Sequence, residues 1–300
     1  KATRWAQGAS LGQIIWLASY PKSGNTWLRA FLANYRAGGS EPVDINRLPE
    51  LSFSDSRVRY FDQVAGCPTA GLPFAEIHRL RPAVHRLFAQ ARDGTVLVKT
   101  HCALSRIDDI PTITPELTAA ALYVARTPLD VAVSFAHHFG LSMASAVQAI
   151  SFPQLKSAPQ GDTVAQPFSD WSSHVQSWLD APGLKLHWLR YEDLHRAPAR
   201  VFKGVIAFLG WPFEAERLRS AIRQSDFRAL AAQEAKAGFV EASRKAERFF
   251  RRGQIGSWRS ELSVDQVAFL IERHRAVMTR LGYLGPDGKP VVREPERANG

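Results

Sequence analysis

The stretch Tyr20-Pro21-Lys22-Ser23-Gly24-Asn25-Thr26-Trp27 collects the residue types that hold an anion. Lys22 brings a full positive charge, and Ser23 and Thr26 bring hydroxyl donors. An apolar run, Ile14 to Ala18, precedes it, and Trp27, Leu28, Phe31 and Leu32 follow at helical spacing. Strand, short loop, helix is the frame in which backbone N–H groups and the helix dipole bind phosphate. The usual nucleoside triphosphatase loop is G-x-x-x-x-G-K-[ST]. Here Lys22 stands two residues before Gly24, Asn25 occupies the lysine position, and the first glycine is missing. The stretch therefore points to a different nucleotide, with a basic turn lacking any ligand as the plain alternative.

Three further groups carry chemistry. Lys99-Thr100-His101 follows the β-rich run Thr95 to Val98, so its side chains should emerge beside the Lys22 loop. Taken alone, one histidine among nine is a surface or core residue. Arg126 ends the run Ala120 to Val124, and Ser134 lies two turns into the helix that begins at Pro128. Arg251, Arg252 and Gly253 form the third group; Arg244, Lys245 and Arg248 extend its charge, so a solvated basic turn competes with a phosphate clamp. Guanidinium groups suit phosphate because each bonds two oxygens at once.

The elements that must position these groups alternate along the chain. Strands are expected at 13–18, 95–98, 120–124 and 184–189, and helices at 25–36, 74–88, 128–139, 171–179, 198–209, 214–223 and 263–281. Thr127 reads as an N-cap, Pro128 as the first helical residue and Asp130 as the acid of a capping box. Gly210 reads as a C′ glycine. The last helix presents Val264, Val267, Phe269, Leu270, Ile271 and Val277 as its apolar stripe. Residues 1–12 read as a lead-in, 37–92 as loops and short helices, and 140–169 as a mobile segment. The alternation argues an α/β fold with a parallel sheet and helices on both faces, and ligands in such sheets lie at the carboxyl ends of strands.

With these motifs in hand, the chain resembles the cytosolic-type sulfotransferases. Residues 20–27 are similar to that family's 5′-phosphosulfate loop, with Asn25 where the family usually has Thr. The fixed positions of Arg-x-Pro-x-Asp-x-x-x-Ser are all met by Arg126 to Ser134. Phe249 to Trp258 is similar to Arg-Lys-Gly-x-x-Gly-Asp-Trp, with Arg252 for Lys and Ser257 for Asp. Lys-Thr-His is present at 99–101, followed by Cys102-Ala103 where the family often has Leu-Pro.

The resemblance implies one P-loop-like α/β domain spanning 1–300, with a core of about 13–283 and a tail 284–300. It implies 3′-phosphoadenosine 5′-phosphosulfate (PAPS) as cosubstrate, a 3′,5′-bisphosphate product, no metal, and a small-molecule hydroxyl or amine acceptor. His101 would be the catalytic base, with Lys22 and Lys99 stabilising charge. Lys22, Ser23, Gly24, Asn25, Thr26 and Trp27 would hold the nucleotide together with Arg126, Ser134, Tyr191, Ser225, Arg251, Arg252 and Gly253. Arg126, Ser134, Arg251, Arg252 and Gly253 would hold the 3′-phosphate; Trp27, Tyr191 and Ser225 lie where adenine contacts fall. The family's dimer segment, Lys-x-x-x-Thr-Val-x-x-x-Glu, aligns with Arg259, Ser263, Val264 and Ala268, so its acid is missing and the oligomer is left open. The acceptor pocket is expected from 40–90, 137–170 and 235–250, where Phe53, Phe74, Phe139, Phe152 and Phe168 suit an apolar acceptor or a core.

Bulk properties bound the alternatives. The net charge of +10 draws anions, but the basic residues are spread out, without a nucleic-acid arm or a groove-reading module. Two cysteines, Cys67 and Cys102, offer neither a disulfide framework nor zinc spacing and fit a reduced compartment, the cytoplasm. No run of about 18 apolar residues suggests a membrane span. A P-loop-like nucleotide kinase would want the standard lysine and a metal. A non-catalytic nucleotide-binding module would not need Lys99-Thr100-His101.

Overall fold

Apolar runs without polar alternation suit strands buried on both faces, and Ile14-Ile15-Trp16-Leu17-Ala18 forms one whose residues are all buried. The computed structural model describes residues 13–291 except 244 and 246. The expected lead-in 1–12, the end of the tail (292–300) and Arg244 lie outside the described residues.

In chain order the elements are β1 (Ile14–Ser19), α1 (Asn25–Ala37), α2 (Leu48–Leu51), β2 (Ser52–Ser54), α3 (Val58–Ala65), α4 (Phe74–Ala89), β3 (Val96–Thr100), β4 (Arg106–Ile107), β5 (Ile110–Pro111), β6 (Thr118–Ala125), α5 (Pro128–Phe139), α6 (Met143–Ile150), α7 (Trp171–Leu179), β7 (Leu186–Arg190), α8 (Tyr191–Arg196), α9 (Pro198–Leu209), α10 (Ala215–Gln224), α11 (Phe227–Ala237), α12 (Trp258–Glu261) and α13 (Val264–Arg280). The central parallel sheet has the order β2-β3-β1-β6-β7 and is flanked by helices; β4 and β5 form a small antiparallel hairpin. β1 and β3 pair in register Leu17↔Lys99 and Ala18↔Thr100.

The residues gather into two compact units. The first holds the chain up to Pro21, Ser52–Tyr123 and Phe152–Trp188; the second holds Lys22–Leu51, Val124–Ser151 and the chain from Leu189 onward. The chain passes from the first to the second after Pro21, Tyr123 and Trp188, each near the carboxyl end of a strand. In the first unit Phe53 stacks on Phe88 with ring centroids 4.9 Å apart, and Trp16, Tyr123, Trp171 and Trp178 are buried. Phe53 and the buried Phe168 thus belong to packing. In the second unit Phe31 of α1 stacks on Phe202 of α9 at 3.7 Å.

Three expectations change. The segment read as mobile contains α6, capped by the Ser142 side chain and anchored by Ala146, Val147 and Ile150. α11 was not anticipated and is capped by Asp226, which accepts from Ala229 N. The buried stripe of α13 is Leu270, His274, Val277 and Met278, whereas Val264 is 85% and Phe269 37% exposed. Helical turns align 270, 274, 277 and 278 on one face; Val264 and Phe269 fall outside it, while Val267, one turn before Leu270, is half-buried.

Candidate active site

The first unit builds the surroundings of His101. Because Ala18 pairs with Thr100, the next residue on each strand, Ser19 and His101, also lie side by side. His101 Nδ1 donates to the Ser19 carbonyl at 2.9 Å, with Ser19 Oγ 3.3 Å away. A proton on Nδ1 puts the lone pair of a neutral imidazole on Nε2. The His101 carbonyl in turn accepts from His174 Nε2 at 3.1 Å, and His174 Nδ1 accepts from the Tyr123 hydroxyl at 2.8 Å. Burial pushes the His174 pKa down to about 4, which keeps that ring neutral.

Beneath this lies a buried polar knot. Thr100 Oγ1 donates to Asp55 at 2.7 Å and accepts from Cys102 N at 3.0 Å. Arg81, fully buried, donates to the same carboxylate at 3.3 Å. Burial raises the Asp55 pKa against the lowering charge of Arg81. The knot fixes the backbone on both sides of His101 and leaves Lys99, half-buried on β3, paired in register with Leu17 and Ser54.

The second unit builds the surroundings of Lys22 and Arg126. Lys22 adopts φ 68°, a left-handed conformation uncommon outside glycine and concentrated at functional turns. Its ammonium donates to His138 Nδ1 at 3.3 Å and lies 3.9 Å above the Phe249 ring. Gly24 caps α1 at φ 105° without a side chain, and the first helical turn carries no acid. A Cβ on Gly24 would meet the Tyr191 ring at 2.6 Å, so only glycine lets that ring close over the loop. The Ser23 hydroxyl is buried without a hydrogen-bond partner, as is Trp27 Nε1. An orphaned buried hydroxyl beside a helix N-terminus and a lysine fits an anionic group. Asn25 and Thr26 are buried in the first turn of α1.

Arg126 donates to the Lys22 carbonyl and to the Gln254 carbonyl, each at 3.1 Å, and its guanidinium lies 4.3 Å above the Tyr191 ring. Arg126 thus brings the Lys22 loop, Tyr191 and the 251–256 segment together. Trp27 packs edge-on against Tyr191, His195 and Phe202. Ser134 is half-buried two turns along α5. Ser225 is buried and donates back to the Ala221 carbonyl at 2.6 Å, which ties up its hydroxyl proton within α10's end.

Asp130 does not act as a capping acid. It is buried and accepts from Gly256 N at 2.8 Å and Trp258 N at 3.2 Å, tying the basic segment to α5. Glu192 takes the capping task instead, accepting from Thr127 N at 3.0 Å. Burial pushes the Glu192 pKa up to about 7. Gly253, φ 57°, lies so close to Phe227 that a Cβ would sit 2.0 Å from the ring. Arg251 and Arg252 are partly exposed, and both pair with Glu261.

Sequence reading missed Asp55, Arg81, His138, His174, Glu192 and Glu261. Asp55, Arg81, His138, His174 and Glu192 are paired with partners more than twenty residues away, whereas Glu261 joins the nearby Arg251 and Arg252 to the distant His137. Among the described residues, no group of three or more His, Cys, Asp or Glu is placed to hold a metal ion, and no helix is long and apolar enough to cross a membrane.

Comparison with known proteins covers most of the chain. The sequence model of one family, described as Sulfotransferase domain, matches residues 13–282. Sulfotransferase 1A1 of Bos taurus is 25% identical over 271 residues, covering 87% of this chain and 81% of its own. Cytosolic sulfotransferase 10 of Arabidopsis thaliana is 24% identical over 269 residues, covering 86% and 77%. Two solved structures share the fold: retinol dehydratase in complex with androsterone and inactive cofactor PAP (TM-score 0.61, 17% identity, 96% of this chain and 84% of that one), and mouse sulfotransferase SULT7A1 complexed with PAP (TM-score 0.59, 19% identity, 90% and 84%).

Proposed function

Because the chain belongs to the sulfotransferase domain family, we propose that it uses PAPS to sulfate a hydroxyl or amine of a small-molecule acceptor, with His101 as general base. The observation that carries the reading is the bond from His101 Nδ1 to the Ser19 carbonyl. It assigns the accepting lone pair to Nε2, the tautomer a base needs.

The acceptor oxygen or nitrogen forms a bond to sulfur while the bond from sulfur to the 5′-phosphate oxygen breaks. His101 takes the acceptor's proton as that bond forms. Lys22, within the loop before α1, neutralises charge growing on the leaving phosphate oxygen, and Lys99 stabilises the transferring sulfuryl group. Such transfers need little covalent work from the protein; positioning and charge stabilisation dominate. Ser23, Gly24, Asn25 and Thr26 cradle the 5′ side; the orphaned Ser23 hydroxyl supports this. Arg126, Ser134, Arg251, Arg252 and the Gly253 backbone hold the 3′-phosphate, while Trp27, Tyr191 and Ser225 border the adenine.

The two solved neighbours that hold PAP support the choice of nucleotide. Retinol dehydratase also holds androsterone, and a small-molecule acceptor is assigned to this chain on that analogy. The cytoplasm is the proposed compartment, after the relatives described as cytosolic.

The test is direct. Purified protein incubated with radiolabelled PAPS and a panel of phenols, aliphatic alcohols and amines should pass label to at least one of them. Failure with every acceptor, together with equal binding of adenosine 3′,5′-bisphosphate and AMP, would overturn the reading.

A further inference from the structure

Arg251 and Arg252 converge on a single carboxylate. Arg251 Nη2 and Arg252 Nη1 each donate to Glu261 Oε1 at 3.0 Å. The other oxygen, Oε2, accepts from His137 Nε2 at 2.5 Å. Glu261 ends α12, and His137 lies in the last turn of α5. The carboxylate is well covered, with a side-chain exposure of 14%. Burial pushes its pKa up, but the hydrogen bonds from His137 and Arg251 outweigh this and hold it below the ordinary carboxylate range.

A carboxylate and a phosphate monoester offer guanidinium groups the same feature, adjacent oxygens that share negative charge. We propose that Glu261 is a built-in counter-anion for the 3′-phosphate subsite. It holds Arg251 and Arg252 when no nucleotide is bound and must yield them when the 3′-phosphate arrives. This rests on the reading above that these two arginines bind that phosphate.

Two consequences follow from the charges. With Glu261 ionised, the two arginines and the carboxylate sum to +1; without it they sum to +2. A doubly charged phosphate displaces the singly charged carboxylate, but at reduced net affinity. The same carboxylate recaptures the arginines as the 3′,5′-bisphosphate leaves, which speeds product release, a step that often limits turnover. Glu261 thus sets affinity and residence time rather than the chemical step.

Glu261→Gln removes the charge and keeps the shape. Two partly exposed ion pairs are released, so calorimetric titration with adenosine 3′,5′-bisphosphate should show about three- to tenfold tighter binding than wild type. Stopped-flow dissociation of that nucleotide should slow by a similar factor. AMP, which lacks the 3′-phosphate, should bind both proteins equally. Glu261→Ala, measured in the same way, guards against an effect peculiar to the amide. Equal or weaker bisphosphate binding in both Glu261 variants, while Arg251→Ala weakens it, overturns the counter-anion and leaves the subsite reading intact. Equal tightening for AMP and bisphosphate also overturns it, because the effect would then be general charge rather than competition at one phosphate. If Arg251→Ala and Arg252→Ala both leave bisphosphate binding unchanged, the subsite reading falls and this inference falls with it.

Discussion

The two units hold their candidate functional groups in opposite ways. In the first, His101 is fixed through its own ring and its own backbone: the ring donates to the Ser19 carbonyl, and the carbonyl accepts from His174. Behind it, Thr100 and Arg81 bond to the fully buried Asp55, so the support is dry and polar. In the second, three positive groups rest on side chains that an incoming anion can replace. Lys22 sits on His138 and the Phe249 face, while Arg251 and Arg252 rest on Glu261. In the proposed reaction His101 must hold its orientation before the acceptor arrives, and buried hydrogen bonds supply that. The proposed phosphate subsite must bind, release and bind again, and partly exposed ion pairs worth about 0–1 kcal/mol would let it do so.

Damage to one unit should therefore read differently from damage to the other. The largest effect is expected from His101→Ala, which should lower kcat by about 10²- to 10⁴-fold while adenosine 3′,5′-bisphosphate binds as in wild type. Equilibrium titration beside single-turnover rates checks both halves. Arg126→Ala should do the reverse. Losing a charge-assisted hydrogen bond costs about 1.5–3 kcal/mol, or roughly 10- to 150-fold in affinity for the bisphosphate, and most of the preference over AMP should vanish with it. If both variants lose affinity and rate in the same proportion, the contrast between the units is wrong.

A third test reads the rigid side alone. The His174 pKa lies at about 4 in the folded protein, below the roughly 6.5 of an unfolded chain. A depressed pKa gives stability that is present above 6.5 and lost as pH falls toward 4. From pH 7 to pH 5 this one ring should account for about 2 kcal/mol of lost stability. Urea unfolding at the two pH values should show a smaller loss in His174→Gln than in wild type. An identical loss would mean that the ring is not held neutral. The smallest effect is expected from chelation: turnover measured with and without EDTA should agree, because in the proposed mechanism Lys22 and Lys99 supply the positive charge. A strict need for Mg²⁺ in single-turnover assays would instead favour the kinase alternative.

Local pattern carried much of the fold and only part of the site. β1, β3 and β6 were legible as apolar runs, and α1, α4, α5 and α9 as periodic stripes between recognisable ends. α6 was hidden because Met143-Ala-Ser-Ala-Val-Gln-Ala-Ile has a narrow apolar face of small residues, although Ser142 stood ready as its cap. α11 had a strong cap in Asp226 but buries only Leu230, so its stripe is almost absent. Among the candidate site residues, Lys22, His101 and Arg126 sit in motifs with fixed spacing, so the sequence alone could single them out. Asp130 was seen but given a local task, whereas its partners are Gly256 and Trp258, more than a hundred residues away. Partner choice across such distances depends on how helices pack, and spacing along the chain does not encode it.

The interleaving of the two units also governs how the chain can be made. Neither unit is a continuous stretch: the first draws on residues as late as Trp188, and the second on residues as early as Lys22. β1 is synthesised first among the strands, yet it pairs with β3, some eighty residues later, and its other neighbour in the sheet is β6. A ribosome adding about 5–20 residues per second leaves Ile14-Ile15-Trp16-Leu17 without strand partners for several seconds. An unpaired apolar strand of this kind is a template for association with other chains. The nascent polypeptide should therefore depend on chaperone cover until residues near 125 emerge, and its yield should rise when chaperones are co-expressed.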